Sequence, residues 1–368
     1  MKKATTGQRL FSLALALLLV FTAAACGGNS APAPAPQPNP GTDAPESAPE
    51  KVDIGKSLVI YTAEPDASME ILLEGFAKLY PDCEVEVVYG SAGELASRIK
   101  AEAGSPQADV MFSGLNAGDG DSHAAIFENY MSSHDSEMID GTRNHNGYYN
   151  YVIVSPSCFY VNHSLLKEKG VTVKNYEDLL QPELKGLIVT SDPNSASAAW
   201  NNLSNILTVF GQDTDKPWEY VDKLLANGLV ITSSSSTVFT SVTNGEYAVG
   251  LTYEGGAANQ LRDGAADCEI IFPPEGNGYI VTATAIVKGC RHHDAAVAWV
   301  EYITSAEAQA AWAGELGTTR VSNSNAKFDS AYLQPYDSIT WKTRDIDWLV
   351  ANKANILEKW NALYNKYN

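Results

Sequence analysis

Apolar positions alternate between two rhythms along this chain. Residues 57–62, Ser-Leu-Val-Ile-Tyr-Thr, form a continuous apolar run of the length of a buried strand. A turn at 63–66 follows. Over 68–80, Met69, Leu72, Leu73, Phe76 and Leu79 recur on one helical face, and Pro81 stops the helix. The spacing then predicts a strand at 83–89, a turn at 90–93, a helix at 94–103 and a strand at 108–112. Strand, helix, strand, helix, strand describes an open α/β sheet, whose loops at strand carboxyl ends border a crevice. Three of those loops carry small polar or acidic residues: Thr62 with Glu64, Ser91, and Ser113 with Gly114. Each alone also reads as an ordinary turn.

Further along, 148–154 and 157–162 are extended segments and 164–169 is helical. An apolar run at 186–190 leads into Ser191-Asp192-Pro193-Asn194-Ser195-Ala196-Ser197, ahead of a helical pattern over 198–210. A strand-to-helix turn of small hydroxyl residues leaves backbone N–H groups free at a helix N-terminus, which favours an anion. Asp192 or Ser195 acting as a plain helix cap explains the same residues. Ser235 and Thr237, in the polar run 233–237 ahead of a helix at 238–244, invite the same two readings. In the tail, 328–368, a helical pattern runs through Trp348, Leu349, Ile356, Leu357, Trp360 and Leu363 and is expected to pack on the first half of the fold. Trp341, Trp348 and Trp360 read as core rather than as a sugar platform.

With 368 residues the chain can build two cores, and its net charge of −19 is spread rather than gathered. That excludes a nucleic-acid surface, which needs a basic stripe, but not an anionic ligand in a local pocket of donors. At the N-terminus, Lys2, Lys3 and Arg9 precede an apolar stretch, 10–21, too short to span a membrane. Ala23-Ala24-Ala25-Cys26 follows it. The arrangement resembles a bacterial lipoprotein signal, apart from Ala23 where that pattern prefers leucine. The resemblance implies a signal peptide at 1–25, cleavage before Cys26 and diacylation of its sulfur. Residues 26–55, rich in Ala and Pro, cannot bury enough apolar surface to fold and read as an extended tether. Cys83, Cys158, Cys268 and Cys290 remain; four cysteines allow three pairings, and none has the close spacing of a zinc site.

A family resemblance rests on the order of several motifs. They are Tyr160-Val161-Asn162, Lys169-Gly170, Tyr176-Glu177-Asp178-Leu179-Leu180, Pro182-Glu183-Leu184-Lys185-Gly186, Asp192-Pro193, and Ser195 with Ser197. Residues 245–254, 271–276, 283–288, 295–303 and 306–313 continue the match. Over 57 to about 319 the chain resembles the extracellular solute-binding proteins of ABC importers, in the branch of ferric-ion, hexose-phosphate and aminoalkylphosphonate binders. The resemblance implies an α/β, two-lobe periplasmic-binding-protein fold of type II, with two crossover hinge strands and a ligand cleft that closes by hinge motion. The expected division is 56–155 with 280–368 as lobe 1 and 156–279 as lobe 2, with crossovers near 154–160 and 271–283. The implied partners are ABC permease subunits, a small anionic solute and, through its lipid, the membrane. The protein is expected to act as a monomer, without nucleic acid, cofactor or resident metal.

The same resemblance frames the ligand. Ferric binders of this branch carry two adjacent tyrosines on a second-lobe loop, where this chain has Thr252-Tyr253-Glu254 with one; the pair Tyr148-Tyr149 lies before the first crossover. Phosphate binders of the branch share the Asp-Pro and spaced serines. The expected ligand set is therefore Thr62, Glu64, Ser91, Ser113, Asp192, Ser195, Ala196, Ser197, Ser235, Thr237, Tyr253 and Glu254, around a phosphosugar or aminoalkylphosphonate. Glu254, Glu64 and Asp192 would suit sugar hydroxyls or an ammonium, since a carboxylate beside a lone phosphate is costly; helix first-turn acids are the plain alternative. The chain carries no Gly-x-Ser-x-Gly elbow, Walker loop or His-Glu-x-x-His, so it reads as a binder and not an enzyme. A ferric-iron-binding protein of the same family, an exported hydrolase and a ligand-sensing subunit stand as alternatives.

Overall fold

The computed structural model describes residues 53–367, so Cys26, the signal-like segment and most of the Ala/Pro-rich run lie outside the described residues. The folded part begins a little earlier than the tether expectation: Ile54 is buried in the first lobe's core.

The first lobe is laid down as β1 (Ser57–Thr62), α1 (Asp66–Leu79), β2 (Glu84–Tyr89), α2 (Ala92–Ala101) and β3 (Val110–Leu115). β1 lies parallel between β2 and β3. Met69, Leu72 and Phe76 of α1 are fully buried, and each such side chain contributes about 1.5–3 kcal/mol. Leu79, read from the sequence as part of that face, is 54% exposed at the last turn. α2 starts on a capping box, with Ser91 accepting from the Glu94 N–H and Glu94 accepting back.

The chain then builds β4 (Asn150–Asn162), α3 (His163–Lys169), β5 (Ile188–Ser191), α4 (Ser197–Phe210), α5 (Lys216–Ala226) and β6 (Val230–Thr232). Next come α6 (Ser235–Thr243), β7 (Val249–Tyr253), α7 (Glu254–Arg262), β8 (Cys268–Ile271) and β9 (Tyr279–Ile286), then α8 (His293–Thr304), α9 (Ala306–Leu316) and α10 (Ile346–Tyr364). The two extended segments expected at 148–154 and 157–162 are one strand. Pro156, which has no N–H to give, sits where β4 changes partners: Asn150 to Pro156 pair with β9, and Ser157 to Val161 pair with β7. β4 therefore runs from one lobe into the other. The connection from β8 to β9 crosses back, and the whole sheet reads β2-β1-β3-β9-β4-β7-β5-β6, with β8 on β4.

The first lobe's core gathers α1, α8 and α9 around Trp299 and Trp312; the second lobe's gathers α4 and α5 around Leu207, Val221 and Leu224. Trp360 of α10 is core, as expected, but in the other lobe: Leu349, Ile356 and Trp360 belong to the second lobe's cluster. The helix also lies against the first lobe's 3-10 turn at Ala117–His123, so the expected first-lobe packing holds in part, with the apolar face turned to the second lobe. The segment ahead of α10 lies along the β8–β9 crossover, with Asn277 N–H donating to Thr340 and Lys342 N–H donating to Asn277. That path carries the helix past the hinge. All four described cysteines, Cys83, Cys158, Cys268 and Cys290, are free thiols.

Candidate interlobe ligand site

Parallel strand ends from both lobes meet at the hinge. β1 and β3 bring Thr62, Glu64 and Ser113; β5, β6 and β7 bring Ser191, Thr232 and Tyr253. Within this set the Ser113 hydroxyl donates to Glu64 Oε1 at 2.8 Å, and Thr62 Oγ1 accepts from the Glu64 N–H at 3.0 Å. Ser113 holds a left-handed backbone, φ 68°, directly before Gly114 at φ 75°. Such strain in a residue with a side chain costs about 1–3 kcal/mol and persists where the surroundings impose it. A Cβ on Gly114 would lie 2.4 Å from the Ala92 Cβ, so the loop is pressed against α2. Burial raises the pKa of Glu64, against the lowering pull of the Ser113 and Ser68 hydroxyls. Burial, and then the nearby Glu64, raise that of Tyr253. Glu64 and Tyr253 thus feel each other from opposite lobes.

A cavity of about 720 Å³ lies between the lobes, and Thr62, Glu64, Ser113, Ser191, Thr232 and Tyr253 are not among the residues that line it. Of the twelve residues expected from sequence, Ser195, Ala196 and Ser197 line it. Asp192 does not: its Oδ1 accepts from the N–H and amide of Asn194, forming the turn ahead of α4. The N–H groups of Ser195 and Ala196 donate to the Asp192 carbonyl, at 3.1 and 2.8 Å. The free N-terminal donors of α4 are therefore those of Ser197, Ala198 and Ala199, shifted along the chain from the expected set. No side chain caps them, because the N-cap residue is Ala196.

Other expected residues are occupied elsewhere. Ser91 is an exposed cap. Ser234 caps α6 through the Thr237 N–H and bonds the Thr237 hydroxyl at 2.9 Å, so Thr237 belongs to the cap; Ser235 Oγ lies 3.4 Å from Ser191 Oγ. Glu254 is 1% exposed and ion-paired with Arg320, whose Nε and Nη2 reach its two oxygens at 2.7 and 2.6 Å. Its carboxylate is closed off from the cavity, which corrects its assignment to sugar hydroxyls. Tyr148 and Tyr149 are first-lobe core, with the Tyr149 hydroxyl on Asp119 at 3.1 Å.

The cavity wall also carries cations that the strand-end logic did not single out: Arg143, Lys342, Arg344 and Lys353. Three carboxylates share the lining, and two are engaged: Asp119 accepts from the Asn116 N–H and the Tyr149 hydroxyl, and Asp345 caps α10 through the Trp348 N–H. The third, Asp347, is a first-turn acid of α10. Arg143 is ion-paired with Asp140 at 3.7 Å, whereas Lys342, Arg344 and Lys353 have no carboxylate within ion-pair distance among the described residues. Lys353 Nζ sits 5.1 Å from the Trp200 ring centre, beside the α4 N-terminus. Arg344 is 9% exposed; its Nη2 donates to the Asn201 carbonyl and Ser204 Oγ, and burial pulls its pKa down to about 10. Only the row of basic residues in the tail could have flagged Lys342, Arg344 and Lys353.

The comparisons agree with this architecture. The model of the family described as "Bacterial extracellular solute-binding protein" matches residues 60–310. A "Probable ABC transporter periplasmic-binding protein" of Sinorhizobium fredii is 24% identical over 274 residues, covering 72% of this chain and 74% of its own. Among solved structures, the periplasmic binding protein AfuA of Actinobacillus pleuropneumoniae, with fructose 6-phosphate bound, superposes with a TM-score of 0.69 at 25% identity. It covers 84% of this chain and 99% of its own. Iron-bound HitA of Pseudomonas aeruginosa gives 0.67 at 18% identity, with 84% and 99% covered. The chain belongs to the bacterial extracellular solute-binding proteins of ABC importers, and its two lobes have the type II periplasmic-binding-protein fold.

Proposed function

We propose that this protein is a lipid-anchored capture subunit that takes up a small phosphoryl-bearing solute between its lobes and hands it to an ABC permease. The solute class is a phosphosugar or an aminoalkylphosphonate. The observation that carries the reading is the uncapped N-terminus of α4, opening on an interlobe cavity that is also lined by Lys342, Arg344 and Lys353, none of them with a carboxylate partner among the described residues. A volume of about 720 Å³ suits a small polar metabolite. The likeness to AfuA, solved with fructose 6-phosphate, supports the same class. Glu64 and Tyr253, which approach each other from opposite lobes, would face the solute's hydroxyl or amino end, and a raised Glu64 pKa suits a carboxyl able to donate as well as accept. Lipidation at Cys26 and the tether would keep the binder at the membrane.

The ferric alternative has less to stand on. The second-lobe loop offers Tyr253 alone, and among the described residues no group of three or more His, Cys, Asp or Glu side chains is placed to hold a metal ion. A thermal-shift screen tests the assignment, with hexose phosphates, 2-aminoethylphosphonate, glycerol phosphates, inorganic phosphate, polyamines and ferric citrate. A ligand that binds only the folded form raises the melting temperature by mass action. Shifts from the phosphate esters or phosphonate are expected; shifts from ferric citrate or polyamines alone would refute the reading, and turnover of a phosphomonoester would make the protein a hydrolase.

A further inference from the structure

Arg344 is an anomaly of placement. It lies in the tail, beyond residues 60–310 that match the family model, yet it reaches the hinge and the cavity. Its stem runs over Gly278 in the β8–β9 crossover, where a Cβ would come within 2.5 Å of its Nε. Its Nη2 contacts are neutral groups of α4, the Asn201 carbonyl and Ser204 Oγ, and Nε has no partner in its buried position. Among the described residues no carboxylate lies within ion-pair distance of it, whereas the other buried arginine of the hinge, Arg320, has Glu254. A buried guanidinium without a counter-charge costs several kcal/mol, and a fold retains one where something else supplies the charge. The cavity it lines is shared with the uncapped start of α4, whose free N–H groups also favour an anion.

We propose that Arg344 is the specificity-determining residue for the solute's anionic group, and that the C-terminal segment is therefore a working wall of the ligand site. This rests on the anionic-solute reading above and adds to it where the charge is read. Because Arg344 is held by α4 and the crossover, the solute's charged end is anchored on the second lobe. The first lobe, through the 3-10 turn after β3 and Arg143, covers it from the other side. Lys353, above Trp200, adds long-range attraction at the cavity mouth.

The test uses the full-length protein, with affinities for fructose 6-phosphate, glycerol 3-phosphate, 2-aminoethylphosphonate and inorganic phosphate measured for wild type, Arg344→Gln, Arg344→Met and Arg344→Lys. The expected result is a loss of tenfold or more for the compound that wild type binds in both neutral variants, with part of it restored by lysine. The ligand-free melting temperature of the neutral variants should stay level or rise, since an unpaired buried charge has been removed. Affinity within twofold of wild type in Arg344→Gln would overturn the proposal. So would a fall in the ligand-free melting temperature of both neutral variants, which would assign Arg344 to bracing α4. Wild type that binds none of the four compounds would overturn the phosphoryl reading itself, and this proposal with it.

Discussion

The Glu254–Arg320 pair offers the sharpest test of how the lobes are joined. Glu254 opens α7 on the second lobe, where the helix dipole favours a carboxylate. Arg320 follows α9, and its carbonyl accepts from the Val154 N–H of β4 in the first lobe. The side chains are 1% and 6% exposed and meet through two bonds of 2.7 and 2.6 Å, while Arg320 also donates to the Gln334 carbonyl. For charge centres about 4 Å apart, an effective dielectric near 20 gives roughly 4 kcal/mol of attraction. Stranding either charge by removing its partner costs about 3–5 kcal/mol. Glu254→Gln and Arg320→Met should each lower stability by that amount in urea unfolding. Glu254→Leu combined with Arg320→Met should recover most of the loss, because neither charge is then left alone. Single losses below about 1 kcal/mol, or losses that simply add in the double variant, would refute the claim that this is a dehydrated interlobe pair.

Other consequences follow from the same geometry. Glu64→Gln should raise the ligand-free melting temperature at pH 7 and leave it unchanged at pH 4. A carboxyl with a raised folded-state pKa contributes its stability below the unfolded value, near 4.5, and loses it as pH climbs through the folded one; a pH-independent difference would count against this. Gly278→Ala should cost about 1–3 kcal/mol of stability and weaken solute binding, since its methyl would displace Arg344 and Asn205 Oδ1, the latter at 2.9 Å. Calorimetric titration of Ser195→Ala with Ser197→Ala should show a loss of about 1–3 kcal/mol in solute binding. Unchanged affinity would leave only the α4 backbone, and not its hydroxyls, at the site.

Much of the fold was legible because period and punctuation are local. β1 occupies the residues read for it, and α4 begins within a residue of where the pattern placed it. Helix α10 shows the limit. An apolar face over Leu349, Ile356 and Trp360 states that a helix must dock, but not on which core, and a segment crossing at the hinge can reach either lobe. Glu254 shows it for the site. Its position after a strand looked open, but its partner lies 66 residues away, across the lobe boundary, and no local pattern announces that pairing. Serines ahead of α6 read equally as cap or ligand, and the bonds among Ser234, Ser236 and Thr237 show how largely the cap claims them. Arg344, Lys342 and Lys353 were missed because charged residues in a polar tail usually face water; only the path of the tail past Asn277 brings them to the cavity.

The central question is whether an anion is what the cleft holds. Titration calorimetry at two salt concentrations, comparing fructose 6-phosphate and 2-aminoethylphosphonate with fructose and ethanolamine, addresses it. Saturable binding of a phosphoryl compound, weakened by salt and absent for its uncharged or cationic counterpart, is the predicted result. Equal binding of fructose and fructose 6-phosphate, or heat from ethanolamine but from neither phosphoryl compound, would contradict it.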